Sequence, residues 1–158
     1  MATLFAPRPA LEFTVFGIAA PKGSKRGFPV RRKSGQMGVA IVEGKTDRQK
    51  DWARRVEEVV QGLARSGAEM LHGPLVASCV FYVPRPSSAP KRKRTWPDKR
   101  PDLSKYLRAI EDPLSGVLFD DDAQIVEYAT LRKDFATTTP DPRPRCEYAL
   151  WPAEVWYR

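Results

Sequence analysis

Three consecutive carboxylates, Asp120, Asp121 and Asp122, stand between the apolar run Val117–Phe119 and the strand-like pair Ile125–Val126, with Glu111 and Asp112 a few residues upstream. Adjacent carboxylates repel one another, so they must be neutralised by a bound cation, by Lys or Arg, or by solvent. A hard divalent cation such as Mg²⁺ takes oxygen ligands of this kind, and a cluster holding one can polarise a phosphoryl oxygen or activate water. A solvated turn would hold the same residues, because Asp favours turns. The cation reading is the one to test, because the surrounding chain offers a polyanion-binding surface.

Its 158 residues carry 27 Lys and Arg against 19 Asp and Glu, a formal charge of +8. One group of cations runs through Lys22, Lys25, Arg26, Arg31, Arg32 and Lys33. A second runs through Arg85, Lys91, Arg92, Lys93, Arg94, Lys99 and Arg100, with Asp98 as its only acid. Such crowding favours an anionic partner, and neither segment has the continuous apolar face of a membrane-surface helix. The first residues lack the charged and apolar regions of a secretion signal, and no 18-residue apolar run occurs, so a soluble, intracellular protein is expected. Cys79 and Cys146 lie in apolar, strand-like stretches and read as buried free thiols. The lone histidine, His72, precedes Gly73-Pro74 in a turn and suits a surface or capping role better than catalysis.

The elements that must position these residues form one domain over 1–158. Leu11 to Gly17 reads as a strand, Ala20 to Gly27 as a loop, and Val39 to Val42 as the return strand of a hairpin. Thr46 as N-cap with Gln49 three residues on opens a helix carried by Trp52, Val56, Val59, Val60 and Leu63 and ended by Gly67. Leu75 to Val83 is the clearest strand. Five prolines among seven basic side chains leave 84–101 as a long loop without regular structure. Asp102 caps a second helix to about Leu114, with Leu103, Tyr106, Leu107, Ile110 and Leu114 on one side and Ser104, Arg108, Glu111 and Asp112 on the other. Ile125 to Arg132 and Cys146 to Trp151 add strands, joined by a connector over Thr137 to Pro144. The fold class is therefore α/β (α+β): a small mixed sheet covered by two main helices.

The stretch RPDLSKYLRAIEDPLSGVLFDDDAQIV, residues 100–126, resembles the signature of RusA-type Holliday junction resolvases. That pattern is roughly K/R-P-D-x-D-N, a helix with a basic residue and an Asp, then D-A-L-x-G and D-D-[SA]-Q-[VI]. Ala20 to Arg26 resembles the family's P-x-P-K-G-x-x-R loop, and Val80 to Pro86 its strand before the basic loop. The resemblance implies a homodimeric, Mg²⁺-dependent endonuclease (Mn²⁺ a plausible substitute) that nicks four-way DNA junctions symmetrically, with no small-molecule cofactor and no membrane partner. By position, Asp102 and Asp122 fall on family catalytic carboxylates, and Arg108 falls where the family has a functional Lys. Asp121 matches the first Asp of the D-D pair and Asp112 the Asp closing the helix.

Ser104 is the departure, since the family usually has a third catalytic Asp there. Asp102 with Asp122 can suffice for Mg²⁺, with Asp121 or Asp112 compensating and Ser104 orienting a metal-bound water. Lys22, Lys25, Arg26, Lys91, Arg92, Lys93, Arg94, Lys99 and Arg100 are the expected DNA-binding cations. Trp96 either stacks on an exposed base or anchors its loop. Two other functions fit the same residues: a branched-DNA-binding protein that has lost productive metal binding through Ser104, and a basic recruitment protein with a decorative acidic turn. The resemblance is nearest in style to phage and prophage members, which implies the cytoplasm of a bacterial host.

Overall fold

The computed structural model describes residues 7–23, 26–42 and 46–158, with the side chains of Arg26, Ile41 and Val42 outside that description. The chain runs β1 (Leu11–Phe16), β2 (Arg26–Arg31), β3 (Met37–Val42), α1 (Asp47–Arg65), β4 (Leu75–Val83), α2 (Leu103–Glu111), β5 (Ile125–Phe135), β6 (Arg145–Pro152) and a last helical turn, α3 (Ala153–Trp156). α1 begins with a full capping box: the Thr46 side chain accepts from the Gln49 N–H and the Gln49 side chain from the Thr46 N–H. α2 stops at Glu111, short of the expected Leu114, because Pro113 lacks the N–H that would continue the ladder, although Asp112 before it keeps helical backbone.

Four strands form a mixed sheet in the order β1-β6-β4-β5, with β4 and β5 parallel and the other pairs antiparallel. The parallel pair needs a crossover, and the basic loop followed by α2 supplies it. β4 is central and buried at every position except Ser78, which explains its nearly unbroken apolar sequence. Its odd-numbered residues, Leu75 to Val83, pack with Trp52, Val56 and Val60 of α1 and with Tyr106 and Ile110 of α2, so both helices cover one face. On the opposite face Val80, Tyr82 and Ala136 form a smaller cluster. There the buried Arg145 guanidinium lies 4.1 Å from the Tyr82 ring centroid and donates to Glu147 at 2.7 Å.

The return strand around Val39 to Val42 is real, but its partner is β2, from the segment read in part as loop. The first strand pairs instead with the C-terminal β6. β2 and β3 are a separate two-stranded sheet, closed by a turn in which Gly35 takes a φ of 82° and its N–H bonds to Arg32 O. Cys79 and Cys146 are buried free thiols with sulfurs 3.7 Å apart. No helix among the described residues is long and apolar enough to cross a membrane.

Trp52 is 1 % exposed, and its indole N–H has no hydrogen-bond partner among the described residues. Trp52→Ala should therefore destabilise the protein by about 3–5 kcal/mol in urea unfolding. Trp52→Phe should destabilise it less, because it removes a buried donor that already lacks an acceptor.

Candidate nuclease site

α2 carries the candidate residues on its outward side. Asp102 occupies the N-cap position with extended backbone, yet its side chain makes no capping bond. Its carboxylate is exposed, with Lys105 Nζ 4.0 Å away. Ser104, Arg108 and Asp112 follow at i, i+4 and i+8, a spacing that puts them in one row along a helix, and all three are exposed. No acceptor among the described residues engages the Arg108 guanidinium, whereas Asp112 is paired with Lys22. Lys22 is positioned from both helices: its N–H bonds to Lys105 O at 3.3 Å, and Gln49 of α1 donates to the preceding Pro21 carbonyl at 2.9 Å.

The acidic triplet is a turn organised by Gln124. Its Oε1 accepts the N–H groups of Asp120 (2.7 Å) and Asp121 (3.1 Å), and its Nε2 donates to Gly73 O (2.9 Å) and Leu71 O (3.3 Å). The turn is thereby tied to the segment entering β4. Asp121 Oδ1 accepts the Ala123 N–H at 2.8 Å, and Asp120 lies 3.0 Å from His72 Nδ1, giving that histidine the surface role expected of it. The exposed Asp122 carboxylate accepts no hydrogen bond among the described residues.

Glu111 departs from its expected place on the polar side of α2, since it is only 5 % exposed. Tyr128 Oη donates to both its carboxylate oxygens (2.8 and 3.0 Å), and Tyr148 Oη donates to one at 2.8 Å. The register explains why both tyrosines reach it: Tyr128 lies opposite Ala77 and Tyr148 opposite Cys79, two small β4 residues that leave space beneath α2. Burial raises the Glu111 pKa above the ordinary carboxylate value against the lowering effect of the two hydroxyl bonds, and the charges of Asp122 and Asp112 raise it further. A helix wheel cannot reveal this partnership, because both donors come from strands distant in sequence.

The loop over 84–101 contains no helix or strand, but it is held at several points. Arg85 Nη2 donates to the Pro90 and Lys93 carbonyls at 2.6 and 3.3 Å, and Lys133 Nζ donates to Lys99 O and Pro101 O at 2.8 and 2.9 Å. Arg94, expected as a DNA-binding cation, pairs with the buried Asp134 at 2.7 Å and lies 5.2 Å from the Trp96 ring centroid. Lys91, Arg92, Lys93, Lys99 and Arg100 are exposed. Lys25 and the Arg26 side chain lie outside the described residues.

The family model for endodeoxyribonuclease RusA matches residues 21–143, most of the chain. The chain belongs to that family. No curated protein matches it closely enough to be reported as a relative. Membership in the RusA family carries a resolvase-type nuclease role in general, and the matched span takes in α2, the acidic turn, the basic loop and the Lys22 segment. The glutamine of the RusA-type motif also acquires a physical role, because Gln124 shapes the turn that presents the aspartates.

Among the described residues, no three His, Cys, Asp or Glu side chains are grouped to hold a metal ion. Asp112, Asp120 and Asp121 already engage Lys22, His72 and the Ala123 N–H respectively. Asp102 makes no capping bond and meets only the distant Lys105 ammonium, and Asp122 accepts no hydrogen bond among the described residues; such carboxylates suit Mg²⁺, which commonly takes one or two from the protein and completes its shell with water and phosphate.

Glu111→Gln tests the buried network. A raised folded-state pKa means that the glutamate's contribution to stability is present below its unfolded pKa and fades as pH rises through the folded value. Wild type should therefore lose stability relative to Glu111→Gln as pH climbs out of the carboxylate range, read by urea unfolding at stepped pH. A constant difference would show that Glu111 is not the buried titrating group.

Proposed function

We propose that this RusA-family chain is a structure-selective endonuclease that cuts branched DNA, four-way junctions above all, by metal-dependent phosphodiester hydrolysis. The observation that carries this reading is the row on α2 and the adjoining turn. There Asp102, a carboxylate that makes no capping bond, Arg108, a cation that no acceptor among the described residues engages, and Asp122, an exposed carboxylate, stand at the positions where the sequence resembles the RusA-type motif.

Asp102 and Asp122 would hold the Mg²⁺, with Mn²⁺ as substitute, and Ser104 would hold a water beside it. The ion supplies activation of the attacking water and offsets charge on the phosphoryl oxygens. Arg108 binds a non-bridging oxygen of the scissile phosphate, and its fixed charge grows in value as negative charge develops there. Its guanidinium stays protonated, so the proton for the departing 3′ or 5′ oxygen comes from water rather than from this residue. Lys22 and the exposed cations of the 84–101 loop contact backbone phosphates away from the cut. Two symmetric nicks require two sites related by a two-fold axis, hence a homodimer.

Ser104 favours one other reading, junction binding without cleavage, because it removes a carboxylate from the metal side. A labelled four-way junction incubated with Mg²⁺, beside Asp122→Asn and a linear duplex, separates the two. Paired nicks that vanish in the variant support the nuclease, and junction-selective binding without nicks in Mg²⁺ or Mn²⁺ supports the binding protein. Under the nuclease reading, Arg108→Ala should lower the cleavage rate by about 10²–10³, as for loss of one transition-state donor, with a much smaller loss of junction affinity. Junction affinity should also fall steeply with salt, at roughly 0.9 logarithmic units per duplex phosphate contacted.

A further inference from the structure

Between the basic loop and the start of α2 lies a groove of about 910 Å³ that the hydrolytic step above does not use. Its lining combines apolar and aromatic surface from Trp96, Pro101, Tyr106 and Phe135 with the cations Arg48 and Lys133. Trp96 is 63 % exposed although it belongs to this lining, so its ring is not used up in anchoring the loop. The ring is nonetheless oriented: Arg94 lies over it at 5.2 Å and is itself fixed by Asp134. Beside it, Thr95 also lines the groove, with its Oγ1 shielded from solvent.

An exposed aromatic ring and cations rimming an apolar floor match the chemistry of one ligand class. A nucleotide offers the π-face of its base to the indole, and its phosphate suits the cations. A duplex keeps its bases stacked and paired, so only an unpaired nucleotide can enter. The geometry points to a binding site for an unstacked nucleotide of single-stranded DNA, with Trp96 as its stacking platform.

The groove adjoins Asp102 through Pro101, so a base held there would come from the strand lying on α2. This inference builds on the branched-DNA reading, since a junction's crossover is where paired DNA most readily yields an unstacked base. The test does not use cleavage. In EDTA, binding of a fluorescein-labelled oligothymidylate to the full chain is followed by anisotropy for wild type, Trp96→Phe and Trp96→Ala, beside a blunt duplex.

Trp96→Ala should weaken oligothymidylate binding by roughly ten- to a hundredfold, the scale of one base–aromatic stack, with Trp96→Phe close to wild type and duplex binding unchanged. Because the side chain is largely exposed, neither substitution removes a core contact. Equal binding by wild type and Trp96→Ala, or an equal loss on oligothymidylate and duplex, would overturn the site. If Trp96-dependent binding holds while the junction remains uncut, the nuclease reading fails and the nucleotide site stands. If the junction is cut while binding does not depend on Trp96, the nuclease reading stands and the nucleotide site fails.

Discussion

The buried Glu111 carboxylate fixes the placement of everything on α2. A nine-residue helix is too short to be stable by itself and depends on what it packs against. Ile110 and Tyr106 provide apolar contact, but apolar contact alone does not set the rotation of a helix about its axis. The hydroxyls of Tyr128 and Tyr148 do, because a buried charge-capable group leaves little tolerance for slipping away from its donors. With Glu111 turned inward, the row Ser104, Arg108 and Asp112 is turned to solvent. Breaking this network from either side leaves a polar group buried without a partner, the most damaging kind of polar loss.

A comparable logic governs the acidic turn. Three adjacent aspartates would splay apart if only solvent held them, but Gln124 takes two of their backbone N–H groups and anchors them to Leu71 and Gly73. Asp120 and Asp121 commit their side chains to His72 and to the turn itself, which leaves Asp122 as the exposed carboxylate of the three without such a bond. The triplet is therefore three separate roles rather than one pooled charge.

Much of this architecture is legible in the residues themselves. Patterning and capping residues mark α1, α2, the first strand, β4 and the last two strands, because each obeys a local rule: period, cap or breaker. The pairing of Val39–Val42 with Arg26–Arg31 is not legible, since Gly, Pro and several cations dilute the strand signal in β2. The motif locates Asp102, Arg108 and Asp122. It does not reveal the pairing of Asp112 with Lys22, the inward turn of Glu111 or the grip of Arg94 on Asp134, because each joins segments far apart in sequence and depends on sheet register. Sequence leaves Trp96 between two roles, and its exposure, which no sequence rule supplies, favours the stacking one.

Ser104 bears on the electrostatics of the α2 row as well as on its coordination chemistry. Beside that row the carboxylates Asp102, Asp112 and Asp122 equal in number the cations Lys22, Lys105 and Arg108, and Asp120 and Asp121 of the same turn leave a carboxylate excess. A carboxylate at position 104 would add to that excess, raising the repulsion an incoming phosphate meets and strengthening the hold on a divalent cation at the same time. Serine there lowers the repulsion and would leave such an ion fewer charged ligands. On the proposed function, nuclease and junction binder would therefore differ first in how tightly that ion is held.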